Sequence, residues 1–207
     1  TIESILKQPE HLVKEIIVAD NGSTDRTPQT AAQYPKVKVV FEPTPGTNRA
    51  REKGRTAATG DIIAFIDADN WLAPDWSEMA IRYLSKPGVA AVSGPYVYRD
   101  QSSFGRFITL WGFMLYAYPG YLLVHYVLRV GSIVLGGNIA TRRETLEKIG
   151  GLDVRFKFFG DDVKIGKQLR KVGKVIFTPK LLVYSSSRRF QKRGYLATTF
   201  RYLMNFI

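Results

Sequence analysis

The apolar positions in the first hundred residues fall into short runs separated by polar stretches with helical spacing. KEIIVA at 14–19, VKVVF at 37–41, IIAFI at 62–66 and VAAVS at 89–93 are four such runs. Each has the length and β-branched content of a strand. TIESILKQ at the start of the chain reads as a helix already under way. Asp20-Asn21-Gly22 is a turn signal, and Ser23, Thr24 and Asp25 offer N-caps for a helix to about Gln33, with Pro28 early in it. Residues 47–59 predict a second helix, Gly60-Asp61 a turn into the third strand, and Pro74 the opening of a helix over 75–84. Strands apolar on both faces and alternating with helices predict an α/β fold. Its sheet is expected to be mainly parallel and covered on both sides.

The second half is less regular. Residues 107–128 contain no Lys, Arg, Asp or Glu, which is long enough to raise the question of a membrane span. Pro119-Gly120 divides the stretch and His125 sits in its second piece, so a buried or interfacial helix pair is the expectation. Residues 132–140 (SIVLGGNIA) predict a strand with a glycine bend. Helices at 142–149 and 161–172 follow, then short strands at 174–177 and 181–184. Residues 188–207 interleave Arg and Lys with Phe, Tyr and Leu, the pattern of a basic amphipathic helix. The organisation expected is one domain over 1–187 and this appendage over 188–207.

A chain of 207 residues with 45% apolar composition suits one domain with a sizeable core. The absence of cysteine excludes disulfides and thiolate-bound metals. The net charge of +12 is unevenly placed. Residues 1–140 hold fourteen Lys/Arg against thirteen Asp/Glu, whereas residues 141–207 hold sixteen against five. That bias points to a surface facing phosphates, whether of nucleotide, nucleic acid or anionic lipid. The chain opens at Thr1 and closes in FRYLMNFI, and is expected to be a segment of a longer protein.

Three acidic groups are candidates for chemistry. In parallel α/β sheets ligands bind outside the carboxyl ends of the strands, and Asp20 and Asp67 both stand at such ends. Asp67 and Asp69 would point to opposite faces of an extended segment, but beyond the strand both can turn to one ligand. Their hard oxygens suit Mg²⁺ or Mn²⁺ when substrate phosphates complete the shell. Asp20 can accept a hydrogen bond from a base or ribose, or simply form an Asx turn. Asp161-Asp162 opens the 161–172 helix, where acids favour the helix dipole. A carboxylate so placed can also take a proton from an attacking hydroxyl, and a second acid beside it raises its proton affinity.

Taken together, four segments match a known pattern. EIIVADNGSTDRT, NRAREKGRTAATGDIIAFIDADNW, GGNIATRRETLEKIGGLD and FFGDDVKIGKQLRKVGKV resemble, in that order, the motifs of family 2 glycosyltransferases. The resemblance implies a GT-A fold, a Rossmann-like α/β architecture, and inverting transfer from a nucleotide-diphosphate sugar, a UDP-sugar being favoured. It implies that Asp20 and Asn21 meet the base and that Arg51 lies on the donor side. Asp67 would stand near ribose or metal, Asp69 would bind Mg²⁺ or Mn²⁺, and Asp162 would be the base with Asp161 beside it. A glycan or lipid-linked acceptor and a place at the cytoplasmic face of a membrane, through peripheral contact, fit the uncharged segment and the basic tail.

The chain departs from the family pattern in places. Asn21 stands where a second Asp is common, Glu52 where Asn usually follows the arginine, and Asp161 where Glu is usual. No His follows the late strand, so Arg188 or Arg189 is expected to meet the diphosphate instead. The family's first strand has no counterpart after Thr1. Two other classes remain open from the residues alone: a nucleotidyltransferase of related fold, and a non-catalytic basic module for membrane or nucleic acid. A nucleic-acid partner is not expected, because acids at the ligand edge would repel phosphate without a cation between.

Overall fold

The computed structural model describes residues 1–101, 134–155 and 161–188. The uncharged segment 107–128, Arg189 and the tail beyond it lie outside the described residues. In chain order the elements are α1 (Ile2–Leu6), a single 3₁₀ turn (Glu10–Leu12), β1 (Ile16–Asp20), α2 (Thr27–Ala32), β2 (Val37–Phe41) and α3 (Thr47–Ala57). Then come β3 (Ile62–Ile66), β4 (Trp71–Leu72), α4 (Trp76–Leu84), β5 (Val89–Ser93) and β6 (Tyr96–Tyr98). β7 (Asn138–Arg142), α5 (Arg143–Lys148), α6 (Asp161–Val172), β8 (Lys174–Phe177) and β9 (Val183–Ser185) complete the described chain.

The central sheet has the order β3-β7-β5-β8. Its strands are apolar on alternate sides, and each side buries a separate core. Ile63, Phe65, Ala91 and Ile139 pack with Leu146 of α5 and Ile165 and Leu169 of α6. On the other face Val89, Val92 and Ala140 pack with Trp76, Ala80 and Leu84 of α4, joined by Ile62 and Ile66. The expected double covering is therefore present, and β3 carries both faces.

Strand direction is mixed rather than mainly parallel. β5 and β8 run parallel, as do β1 with β2 and β6 with β9, but β7 is antiparallel to both its neighbours and β4 to β9. The glycines of the 132–140 stretch also shorten its strand. Gly136-Gly137 form a turn closed by Asn138 N donating to Leu135 O at 2.7 Å, and pairing starts at Asn138.

The N-caps expected at Ser23 to Asp25 are not formed. α2 begins at Thr27 because Asp20 Oδ1 has already accepted Ser23 N, at 3.1 Å, and Asp25 accepts Thr27 N at 2.9 Å. The polar side chains hold a turn in place of a helix end.

Candidate active site

The site forms where β3 and β7 end together. Their antiparallel register pairs Ile66 with Asn138. The next residue on β3, Asp67, therefore faces Gly137, and Asp67 N donates to Gly137 O at 3.3 Å. The glycines create the space. A Cβ on Gly137 would overlap the Asp67 carboxylate, and one on Gly136 would overlap Asp162 Oδ1 and stand 2.6 Å from Arg51 Nη1. Two residues without side chains thus let two carboxylates from distant elements converge.

Arg51 joins them. It projects from α3 with its side chain 17% exposed, and its Nη2 donates to Asp67 Oδ1 at 2.9 Å. Its Nη1 lies 3.9 Å from Asp162 Oδ1, at the first turn of α6. Asp67 and Asp162 remain 45% and 39% exposed, open to a ligand. Asp69 is 44% exposed and faces Arg188 Nη2 at 3.7 Å. Arg188 follows a turn fixed by Asp100, whose carboxylate accepts Ser187 N at 2.7 Å and the Ser186 hydroxyl at 3.0 Å. Five of the expected residues, Arg51, Asp67, Asp69, Asp162 and Arg188, are therefore placed with a partner in or beside the site.

Asp20 and Asn21 stand at the end of β1, in a separate two-stranded sheet. Asp20 is 8% exposed and forms its turn with Ser23. Asn21 is engaged by the loop before α3: its Nδ2 donates to Glu42 O at 2.7 Å and Thr44 O at 2.8 Å, and its Oδ1 accepts Gly46 N at 2.7 Å. Both amide hydrogens and the carbonyl are used, so its side chain shapes the loop that leads into α3. Asp161 begins α6 beside Asp162.

Several further residues shape the site, and of these only Glu52 stood out in the sequence, as a departure from the family pattern. Asn138 is fully buried. Its Oδ1 accepts the Trp76 indole N–H at 2.9 Å, and its Nδ2 donates to Gly94 O at 2.9 Å and Leu181 O at 2.8 Å. A saturated amide of this kind fixes the strand that follows Gly137. Asn70 Nδ2 donates to Gly137 O at 2.7 Å from the far side. Tyr96 lies close enough to feel the site: burial, then the Asp67 and Asp162 charges, push its phenol well above its ordinary pKa, so it remains a neutral hydroxyl. Glu52 anchors the loop after α5. It accepts Leu152 N at 2.9 Å and two bonds from Arg55, at 2.6 and 2.8 Å.

Between α3 and α6 a shallow, open cleft adjoins the site. Phe65, Ile139 and Ile165 line its apolar part, while Asn48, Arg51 and Asp162 line its polar edge. The carboxylates of Asp67 and Asp69 are the hard donors available to a divalent ion. Among the described residues no group of three or more His, Asp or Glu gathers into a protein-only metal site. Two chain carboxylates with the remaining positions filled by substrate oxygens is the usual arrangement for Mg²⁺ with phosphates, and the donor set fits it.

Residues 1–150 match the family model for glycosyl transferase family 2, and the chain belongs to that family. Among curated relatives, the chain is 34% identical over 85 residues to glycosyltransferase AglE of Haloferax volcanii, covering 39% of this chain and 28% of that protein. It is 30% identical over 102 residues to glucosyl-dolichyl phosphate glucuronosyltransferase of the same organism, covering 47% of this chain and 32% of that protein. The chain thus spans about a third or less of these relatives. Among solved structures, the mannosyltransferase PcManGT from Pyrobaculum calidifontis, in complex with GDP-Man and Mn²⁺, superposes with a TM-score of 0.69 at 24% identity. That match covers 99% of this chain and 56% of PcManGT. Glucosyl-3-phosphoglycerate synthase from Mycobacterium tuberculosis, in complex with Mn²⁺, UDP-glucose and phosphoglyceric acid, gives a TM-score of 0.59 at 24% identity. It covers 96% of this chain and 71% of that one. The fold is α/β of the GT-A type, with mixed sheets.

Proposed function

We propose that the chain transfers a sugar from a nucleoside-diphosphate donor to an acceptor hydroxyl, with inversion at the anomeric carbon. The observation that carries this reading is the Arg51 bridge, at 2.9 Å to Asp67 and 3.9 Å to Asp162. It couples the β3-end carboxylate, suited to a cation and diphosphate, to a separate carboxylate at a helix start, suited to a proton. Family membership and GT-A neighbours complexed with nucleotide sugars and Mn²⁺ support it.

In this reaction Asp162 accepts the proton of the acceptor hydroxyl as its oxygen bonds to the anomeric carbon. The bond from that carbon to the diphosphate oxygen breaks, and its electron pair leaves with the diphosphate. Asp67 and Asp69 would hold a divalent ion, Mg²⁺ or Mn²⁺, which when bound neutralises the leaving group. Arg188, and Arg189 beside it in sequence, add positive charge on that side. Arg51 orients Asp67 and places its guanidinium charge beside Asp162. Asp20 contacts the base, with Asn21 supporting it through the loop, and Asp161 stands beside Asp162 in sequence at the start of α6.

The donor to test first is a UDP-sugar, then GDP-mannose; the acceptor is a glycan or a lipid-linked hydroxyl. Peripheral contact with the cytoplasmic face of a membrane rests on the 107–128 and 188–207 sequences. No helix among the described residues is long and apolar enough to cross a membrane. Co-sedimentation with anionic liposomes at low salt is the expected result, and its absence removes the membrane contact.

Product analysis tests the reaction. Release of nucleoside diphosphate with an inverted anomeric signal in proton NMR is expected, whereas release of pyrophosphate would indicate nucleotidyl transfer. Asp162→Asn should abolish turnover, by about a thousandfold or more, while leaving donor affinity nearly unchanged. Full turnover in that variant would remove Asp162 as the base.

A further inference from the structure

The helix that carries Asp162 is attached to α3 twice. The direct attachment is Arg51, 3.9 Å from Asp162. The second runs through the loop that follows α5. Asn48 Nδ2 donates to Asp153 O at 3.1 Å, and Leu152 N donates to Glu52 Oε2 at 2.9 Å, so both backbone anchors of the loop end on α3. Asn48, Arg51, Glu52 and Arg55 share one helical face, and all four serve this junction. From the loop, the Asp153 carboxylate reaches Lys164 Nζ, two residues beyond Asp162 on α6.

The Asp153 side chain is shielded, with 12% exposure. Its carboxylate also accepts Arg155 N at 3.1 Å, Arg155 Nε at 3.0 Å and Arg155 Nη2 at 2.8 Å. Arg155 first and Lys164 second hold its carboxyl well below the ordinary range, so it stays charged wherever the enzyme works. A bidentate guanidinium fixes the carboxylate in one orientation, which leaves its other approach for Lys164. The attachment falls in the first turn of α6, where few intrahelical bonds restrain the backbone. There a displacement of about 1 Å moves the Asp162 oxygens out of line and costs on the order of a hundredfold in rate.

We propose that Asp153 is a positioning residue for the transfer: through Lys164 it fixes the first turn of α6 against α3, so that Asp162 meets the acceptor hydroxyl at a set distance from the donor. This rests on the reading of Asp162 as the base. Asp153 and Lys164 also line the cleft beside Asp162; a positioning role acts on the chemical step, so an unchanged donor KM separates it from a contact with the donor.

The test compares Asp153→Asn, Lys164→Met, the double variant and Lys164→Arg in the full chain, with kcat and donor KM measured separately. Each single neutral variant should lower kcat about tenfold to a hundredfold with donor KM within about twofold of the parent. The double variant should be no worse than the worse single, because both remove one tie. Lys164→Arg, which can still reach Asp153, should retain most of kcat.

Unchanged kcat in Asp153→Asn would overturn the proposal, as would losses that multiply in the double variant. Should Asp153→Asn fail to fold, Lys164→Met decides, since a 33% exposed lysine is not needed for the core. Asp162→Asn separates the two ideas. Its full activity sinks the base assignment, whereas a dead Asp162→Asn beside a fully active Asp153→Asn sinks only the positioning role.

Discussion

At the scale of single residues, the site depends on what Gly137 lacks. A Cβ there would occupy the position of the Asp67 carboxylate, and Asp67 could then no longer meet Arg51. Gly137 is not in the left-handed region, so alanine should be tolerated by the backbone. Gly137→Ala is therefore expected to fold normally by circular dichroism yet to weaken Mn²⁺-dependent nucleotide-sugar binding about tenfold, ~1.4 kcal/mol, by isothermal titration calorimetry. Unchanged affinity would show that Asp67 does not need this position. Asn138, one residue on, is the opposite case. Replacing it with alanine strands the Trp76 N–H and the carbonyls of Gly94 and Leu181. Each orphaned buried group costs about 1–3 kcal/mol, so a loss of ~3 kcal/mol or more in urea unfolding is expected. The carboxylates were legible in the sequence because acids after an apolar run are conspicuous. Asn138 was not, since a lone polar residue in a strand reads as a solvent-facing position until its three partners are brought in from distant segments.

At the scale of elements, the helices and strands followed from periodicity, but their directions and junctions did not. The runs at 37–41, 62–66, 89–93 and 174–177 became β2, β3, β5 and β8 with the expected bounds. β7 runs against its neighbours, and nothing in a five-residue apolar pattern encodes direction, which is set by how the chain returns to the sheet. The three-residue β6 and two-residue β4 are too short to show a period. Glu52 marked a departure from the family motif, and the junction explains it: its carboxylate caps the Gly151–Leu152 backbone. Gly150 and Gly151 permit a matched test, since both have φ of +79°. A Cβ on Gly150 meets nothing, whereas one on Gly151 would stand 2.6 Å from Glu52 Oε1. Gly150→Ala should cost about 1 kcal/mol, the backbone penalty alone. Gly151→Ala should cost about 1–2 kcal/mol more, because Glu52 must give up Leu152 N. Equal losses in urea unfolding would mean that Glu52 does not hold this loop.

At the scale of the whole molecule, the proposed donor contacts are distributed over three sheets that, among the described residues, share no strand pairing. Asp20 ends β1 in one, Asp67 and Asp69 follow β3 in the second, and Arg188 follows β9 in the third. The order of the motifs along the chain was enough to name these residues, but the meeting of Asp69 with Arg188 joins segments more than a hundred residues apart. A ligand that spans the sheets should stabilise the molecule as a unit, because it binds the assembled state and not its parts. At a hundred times Kd, one site adds about 2.7 kcal/mol, which for a chain of this size raises Tm by roughly 5–10 °C. That shift is expected with nucleotide sugar and Mn²⁺ together. It should be much smaller with either alone, and EDTA should reverse it. Asp69→Ala should abolish the Mn²⁺ dependence while leaving the ligand-free Tm nearly unchanged, since its ion pair with Arg188 at 3.7 Å lies on the surface. Equal shifts with and without Mn²⁺ would show that the diphosphate is held by Arg188 and its neighbours without a metal. The β3-end acids would then act as partners of Arg51 and Arg188 in place of metal ligands.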